Sequence, residues 1–142
     1  MSGRVVAVCV GKNKSEAKNP LKSVRVTKGL GIEGDVHAGT GRRQISLLAS
    51  EDVGERFIKA GVKPGDFAEN ILTAGVDLGS LRVGSKLRVG AVELEVSQIG
   101  KECHSGCSIR EKTGDCIMPS RGVFAVALTS GNIRAGDNIA VT

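Results

Sequence analysis

Most of the residues able to do chemistry lie in one stretch, residues 100–124, which reads GKECHSGCSIREKTGDCIMPSRGVF. This cysteine-rich segment holds three of the four cysteines and one of the two histidines, as Cys103, His104, Cys107 and Cys116. A strand pattern, VELEVSQI, runs into the segment and another, VFAVAL, leaves it. Long irregular connections in compact domains usually carry function. The sequence therefore predicts that this segment contains the functional site.

The chemistry favoured by these residues is that of a reactive thiolate. A free cysteine has a pKa of about 8.5, and a neighbouring cation lowers that pKa so that thiolate is available at neutral pH. Lys101, His104 and Arg110 are close in sequence to Cys103 and Cys107. A thiolate at either cysteine can take up sulfur as a persulfide.

Two other interpretations of the segment remain open. The first is a zinc-stabilised interaction domain, but the spacing C-H-x-x-C-x8-C lacks the paired knuckles of common zinc sites. Adjacent side chains such as Cys103 and His104 also diverge on a strand, so zinc is the less favoured ligand. The spacing matches neither common iron–sulfur pattern. In the second interpretation the thiols only pack in a loop or protect one another as a redox pair.

The composition is that of a globular protein without an export signal. The 142 residues fit a single domain, 1–142, and twenty glycines indicate many turns between short strands. The N-terminus lacks a charged-then-apolar signal pattern. No stretch approaches the roughly 18 apolar residues of a membrane helix. These features predict a cytoplasmic protein with no membrane partner.

Positive charge is concentrated in the first third of the chain. Residues 1–50 carry nine Lys or Arg against three Asp or Glu, whereas residues 51–142 carry eleven against twelve. A basic region favours an anionic partner. Nucleic acid is not expected, because the chain has three Phe and neither Tyr nor Trp on which bases could stack. A small phosphorylated ligand suits the charge better, and a solvated basic face is the alternative.

The glycine-rich stretch GLGIEGDVHAGTGRRQISLL supplies candidate phosphate ligands. Its G-x-G-x-x-G spacing is not followed by a predicted helix, as a dinucleotide-binding motif requires, so a dinucleotide site is rejected. His37, Arg42 and Arg43 flank the glycines, and arginine can bind phosphate with two parallel hydrogen bonds. A long turn with exposed arginines is the alternative.

Hydrophobic periodicity predicts mainly β structure. Strands are predicted at Arg4–Val10, Ser23–Thr27, Gln44–Leu48 and Phe67–Leu72, as two or three strands within 81–99, and in VFAVALT and NIAV. A helix is predicted to begin at Ser50 and to end at Gly61. Residues 11–20 are predicted as a loop and Ser130–Asn132 as a turn. Many short strands with one or two short helices predict a small closed or partly open β-barrel.

Several separated motifs occur together in the order of a known family. They are GIEGDVHAGTGRRQISLL, PGDFAENI, LRVGSKLRVGAVELEVSQIGKECHSGC and GDCIMPSRGVFAVAL, followed by a late Gly-Asp. Together they resemble the MOSC domain, which is named after the C-terminal domain of molybdenum cofactor sulfurase. The resemblance extends from about Val5 to Val141 and implies a barrel-like β fold.

The resemblance also implies site residues around the molybdenum cofactor (molybdopterin). The family's cysteine falls in KECHSGC, where Cys103 and Cys107 both fit as the sulfur carrier or as a molybdenum contact, with His104 lowering the thiol pKa or shuttling a proton. The family's H-x-G…R portion corresponds to His37, Gly39 and Arg43, and its F-x-E-N portion to Phe67, Glu69 and Asn70; by the family's pattern these residues border the cofactor-binding cleft. From their charge, Arg42, Arg43, Lys101 and Arg121 are the residues expected to neutralise the phosphate of the cofactor.

The function implied is that of an accessory protein that binds a phosphorylated pterin and carries sulfur for cofactor or metal–sulfur cluster assembly. Its expected partners are molybdenum cofactor assembly enzymes or a molybdoenzyme, and a cysteine desulfurase-type sulfur donor, which would link it to pyridoxal phosphate chemistry. The substrate-binding and electron-transfer regions of the larger oxidoreductases in the family are absent from this chain, so complete turnover by it alone is not expected. The alternative is a non-catalytic cofactor carrier.

Overall fold

The computed structural model describes residues 2–13, 16–39, 41–100 and 121–142, with the side chain of Arg56 excepted. Within them the strands are β1 (Ser2–Val10), β2 (Asn19–Leu21), β3 (Ser23–Thr27), β4 (Gly31–Ile32), β5 (Ile45–Ala49), β6 (Ile71–Ala74), β7 (Lys86–Val89), β8 (Val92–Ile99), β9 (Val123–Ala127), β10 (Gly131–Arg134) and β11 (Asn138–Val141). The described helices are α1 (Ser50–Lys59) and two single 3₁₀ turns, Gly41–Arg43 and Leu78–Ser80.

Seven of the described strands close into a barrel. Their order around it is β1, β11, β7, β8, β9, β5 and β6, and β6 returns to β1. Neighbours are antiparallel except β5 and β6, which run parallel. The prediction of a small, mainly β barrel with short helices is confirmed, and the barrel is closed.

Helix α1 makes the crossover that the parallel pair requires. It follows β5 directly, and Val53 and Phe57 lie one turn apart on the face that packs against the barrel. Gly54 has a non-helical backbone with φ of 69°, so the helix is kinked there. Gly61, at φ of 87°, closes the end of the helix by donating its N–H to the Ile58 carbonyl.

Two apolar clusters lie on opposite sides of the barrel wall. In β5, Ile45 and Leu47 belong to the interior cluster, whereas Leu48 belongs to the outer one. This follows from the alternation of side chains along a strand. The outer cluster comprises Leu48, Phe57, Phe67, Ala68, Leu72 and Phe124. The interior cluster also receives Val24, Val26, Ile32 and Ile133 from the second sheet, β10-β3-β4.

The predicted strand Phe67–Leu72 is wrong in its first half. The structure begins β6 at Ile71, and the backbone before it is a turn in which Ala68 has φ of 62°. The Glu69 carboxylate accepts hydrogen bonds from the N–H groups of Gly65 and Phe67. These local bonds replace the ladder bonds of a strand.

Two shorter predictions also differ from the structure. Pro20, expected in a loop, lies in β2 opposite Cys9, which is tolerated because β2 is an edge strand. Gly131 and Asn132, expected in a turn, begin β10 and pair with β3. Within the described part of the chain, no helix combines the length and the apolar character needed to cross a membrane.

Candidate functional site

The ends of the cysteine-rich segment meet between β8 and β9. Lys101, Cys103, His104 and Cys107 lie outside the described residues, but Gly100 and Arg121 on either side of them are described. The Gly100 N–H donates to the Gly122 carbonyl at 2.7 Å. Gly100 and Gly122, at the two described ends of the segment, are therefore adjacent in the structure.

The arginines predicted to bind phosphate lie beside this junction. Arg42 and Arg43 form the 3₁₀ turn Gly41–Arg43, which is exposed and leads into β5. Arg43 donates from Nε to the Gln98 Oε1 at 3.1 Å, and its guanidinium lies 5.8 Å from the centre of the Phe124 ring. Gln98 in turn donates from Nε2 to the Gly100 carbonyl at 2.8 Å. One amide thus joins Arg43 to the start of the cysteine-rich segment.

A β-bulge in β8 holds this arginine turn in place. Val96 pairs with Ala125 and Gln98 pairs with Phe124, so Ser97 is an extra residue in the ladder. The Ser97 hydroxyl contacts both the Arg42 carbonyl and, at 3.2 Å, the Phe124 carbonyl. Bulges re-aim side chains and are common next to binding sites.

We refer to Arg42, Arg43, Ser97, Gln98 and Arg121 as the arginine rim. All three arginines are exposed. Among residues 41–100 and 121–142, no carboxylate lies within ion-pairing distance of any of them. Exposed guanidinium groups that have no carboxylate partner in the described part of the chain are suited to bind an anionic group from solution.

His37 belongs to a different cluster, around a buried ion pair. Lys18 and Asp35 are fully buried side chains, joined at 2.8 and 2.9 Å through both carboxylate oxygens. The Lys18 ammonium also lies 3.1 Å from Nδ1 of His37, whose side chain is one-quarter exposed. Burial alone would raise the pKa of Asp35, but hydrogen bonding with His37, Lys18 and the Gly11 N–H lowers it well below its usual range.

Gly39 shapes the loop that follows His37. It has φ of 78°, which favours glycine, and its N–H donates to the Leu30 carbonyl at 2.7 Å. In the described structure Gly39 therefore supports the turn that carries His37.

Glu69 and Asn70 are also brought into the interior. Asn70 is fully buried; its Oδ1 accepts from the Ser46 N–H at 3.0 Å and its Nδ2 donates to the Cys9 carbonyl at 3.0 Å. Burial raises the pKa of Glu69 to about 7, although main-chain N–H groups, led by that of Gly65, oppose the change. Both residues hold neighbouring backbone in place.

The Lys18 and Glu69 clusters form one continuous buried network. The Lys18 N–H donates to the Gly65 carbonyl at 2.7 Å, and the Gly65 N–H donates to Glu69 Oε2 at 3.0 Å. Burial, followed by the charge of Glu69, raises the pKa of the nearby Cys9 thiol to about 12. Cys9 therefore stays a neutral thiol, buried in the core.

The predicted site residues thus fall into two groups. Arg42, Arg43 and Arg121 lie at the ends of the cysteine-rich segment, whereas His37, Gly39, Glu69 and Asn70 belong to, or adjoin, the buried network. Among the residues outside 101–120 that are described, no three His, Cys, Asp or Glu side chains are placed to hold a metal ion. Metal contacts by Cys103 and Cys107 stay a prediction.

Sequence reasoning missed four residues that organise these groups. Ser97 and Gln98 are consecutive polar residues that break the alternation of VELEVSQI, and this break could have indicated a bulge. Lys18 is one of three lysines in a polar stretch, and nothing in its local pattern distinguishes it from the other two. Asp35 belongs to the Gly-Asp pair 34–35, but such pairs are typical of turns, so the pair does not by itself indicate a buried ion-pair partner.

Comparison with known proteins gives a consistent family and fold. A family model described as MOSC domain matches residues 33–140. The YuaD protein of Bacillus subtilis has a similar structure, with a TM-score of 0.78, 21% identity, and coverage of 98% of this chain and 94% of YuaD. YiiM of Geobacillus stearothermophilus is similar with a TM-score of 0.73 and 21% identity, covering 99% of this chain and 75% of YiiM. YiiM of Escherichia coli gives 0.69 and 18% identity, covering 100% and 70%. No curated protein matches in sequence.

Proposed function

This chain belongs to the MOSC domain family, a family related to molybdenum cofactor sulfurase, and we propose that it binds a phosphorylated pterin and carries sulfur on Cys103 or Cys107. The sulfur would be destined for the molybdenum cofactor or for a metal–sulfur cluster. The observation that carries the proposal is the position of the arginine rim at the ends of the cysteine-rich segment.

The described residues fit the phosphate end of such a cofactor. Arg42, Arg43 and Arg121 are exposed, and Arg43 is oriented by Gln98 and Phe124. Guanidinium groups suit phosphate in charge and in geometry. When bound, molybdenum cofactor would supply a metal–sulfur centre, and in this proposal residues 101–120, including Lys101, would contact its remaining parts.

The sulfur step is a thiol–persulfide exchange. The thiolate of Cys103 or Cys107 attacks the outer sulfur of a persulfide on a cysteine desulfurase-type donor. A new S–S bond forms on this chain, the S–S bond of the donor breaks, and the donor cysteine leaves as a thiolate. His104 lowers the pKa of the attacking thiol, since a neighbouring cation favours the thiolate. Molybdenum cofactor assembly enzymes or a molybdoenzyme would receive the sulfur.

Intact-mass analysis after incubation with a persulfide donor tests this function. We expect one added sulfur, removed by reductant and mapped to Cys103 or Cys107, and its loss in the corresponding Cys103→Ser or Cys107→Ser variant. Cys9→Ser is the matched control and keeps full loading, because Cys9 is buried and burial raises its pKa to about 12. No adduct on thiols that remain open to alkylation would contradict the sulfur-carrier role.

A non-catalytic cofactor carrier is the second candidate, because the arginine rim can bind an anion without any thiol chemistry. The Cys103→Ser/Cys107→Ser double variant separates the two functions. A sulfur carrier loses activity in a cofactor-maturation assay with this variant. A carrier module keeps both its pterin affinity and its activity.

A further inference from the structure

The arginine rim contains a polar side chain that is not itself charged but contacts two functional parts of the site. Gln98 accepts from Arg43 Nε at 3.1 Å and donates to the Gly100 carbonyl at 2.8 Å. Both ends of its amide are therefore engaged, which fixes the orientation of the side chain. Gly100 is the first residue of the cysteine-rich segment and the last one described before residues 101–120, and its own N–H is bonded to the Gly122 carbonyl.

The 3₁₀ turn Gly41–Arg43 is also held by contacts with Phe124 and Ser97. The aromatic ring of Phe124 lies under the Arg43 guanidinium, and the Ser97 hydroxyl contacts the Arg42 carbonyl. Ser97 and Gln98, which both contact the turn, lie at the β-bulge of β8. An arginine side chain is rich in rotamers, and fixing it before binding reduces the entropy lost when a ligand is bound.

We infer that Gln98 is a positioning residue that holds Arg43 ready for the phosphate group of the ligand and ties it to the base of the cysteine-rich segment. The inference rests on the proposed function, because it concerns the same anion site. With Nε engaged by Gln98 and one face of the guanidinium on Phe124, the Nη1 and Nη2 groups are the donors that meet a phosphate. The site therefore suits an anionic group, such as a phosphate, that can accept two hydrogen bonds from one guanidinium.

The test is the affinity of the whole chain for inorganic phosphate, measured by calorimetric titration at constant ionic strength. We expect Gln98→Leu to weaken this affinity by about five- to ten-fold, as for the net loss of one ordinary hydrogen bond, because Gln98 acts on the ligand only through Arg43. Asn132→Leu removes an amide from an exposed strand position in β10 and serves as the matched control. It should change the affinity by less than two-fold.

A double-mutant cycle distinguishes positioning from a general structural effect. Lysine lacks the planar fork of arginine, so Arg43→Lys removes the group that Gln98 orients. In the Arg43→Lys background, Gln98→Leu should therefore change phosphate affinity by less than two-fold. The same loss in both backgrounds would overturn the inference, as would an unchanged affinity in Gln98→Leu or no measurable binding of phosphate by the unmodified chain.

If Gln98→Leu does not fold, Gln98→Glu replaces it. A carboxylate at this position can still contact Arg43, but it competes with phosphate for the guanidinium, so affinity should fall at least ten-fold at pH 7. Phosphate binding equal to that of the unmodified chain would overturn the inference. The titration needs no sulfur donor, so a failure here is distinct from a failure to load sulfur on Cys103 or Cys107.

Discussion

Arg43 carries its charge at the surface of the protein, whereas Lys18 carries its charge in the interior. The hydrogen bond of Arg43 is to a neutral amide, and its remaining donors face a rim without a described carboxylate. Lys18 is held by both oxygens of Asp35 and contacts His37. Basic residues of the N-terminal third therefore have two different roles. Arg43 is exposed and can bind a ligand, whereas Lys18 is buried and stabilises the fold.

The same contrast separates two of the buried carboxylates, Asp35 and Glu69. Asp35 faces an ammonium group, and its pKa is lowered. Glu69 faces main-chain N–H groups, and burial raises its pKa to about 7. A full opposite charge compensates for the loss of hydration better than two amide dipoles do. Three substitutions, at Lys18, Glu69 and Arg43, test these differences.

Removing the buried cation should have the largest effect. Lys18→Met leaves Asp35 as a buried charge without its ammonium partner, so the free energy of unfolding should fall by about 3–5 kcal/mol. Urea unfolding measures this loss. Arg25→Met is the control, because Arg25 pairs with Glu33 at 3.8 Å with both side chains about half exposed. That pair should contribute less than about 1 kcal/mol, and an equal cost for the two substitutions would refute the contrast.

The pH dependence of the free energy of unfolding should reflect the titration of the Glu69 carboxyl group. Its pKa is about 7 in the folded chain against 4.5 for the free side chain, so between these values the folded state binds more protons. Stability therefore falls as pH rises through this window, by roughly 3 kcal/mol at about 1.4 kcal/mol per pKa unit. Asp35 acts in the opposite sense, since its stabilisation is lost as pH falls below about 4.

Urea unfolding at a series of pH values checks this behaviour. Glu69→Gln should flatten the slope between pH 4.5 and 7, because it removes the titrating group. The control, Glu93→Gln, changes an exposed residue of β8 and should keep the original slope. An unchanged slope in Glu69→Gln would show that Glu69 is not the group that titrates.

The smallest effect on stability is expected at the rim. Arg43→Met should change the free energy of unfolding by less than about 1 kcal/mol, because the side chain is exposed. The same variant should lose about ten-fold or more in phosphate affinity, since it removes a charged donor group. Destabilisation as large as that of Lys18→Met would mean that Arg43 serves the fold rather than a ligand.

Much of the fold could be predicted from local patterns. The alternation in VELEVSQI, the β-branched run in β1 and the helix signal at Ser50 correspond to elements of the structure. The errors had two different causes, local side-chain hydrogen bonds in one case and a tertiary contact in the other. The FAEN part of the predicted strand is a turn because Glu69 binds nearby N–H groups, and Gly131 lies in a strand because β3 pairs with it.

The candidate site could be predicted only in part. Arg42 and Arg43 stand out as consecutive arginines beside a glycine-rich stretch, and the structure joins Arg43 to Gly100 through Gln98. Their role toward a ligand stays a prediction. Glu69 and Asn70 were visible as polar residues in an apolar stretch. The local pattern does not distinguish whether Glu69 and Asn70 contact a ligand or hold a loop, because both roles place a polar side chain among apolar neighbours.

The sequence by itself determined the family, the mainly β character of the chain and the residue types available for chemistry, because these depend on composition, periodicity and short motifs. Only the tertiary structure decided which polar residues meet solvent and which are buried. Arg43 reaches Gln98 across 55 positions, and Asn70 reaches Cys9 across 61. Closure of the barrel brings such distant residues into hydrogen-bonding distance, and it leaves Arg43 exposed, where it can meet a ligand, and Asn70 buried, where it holds the fold.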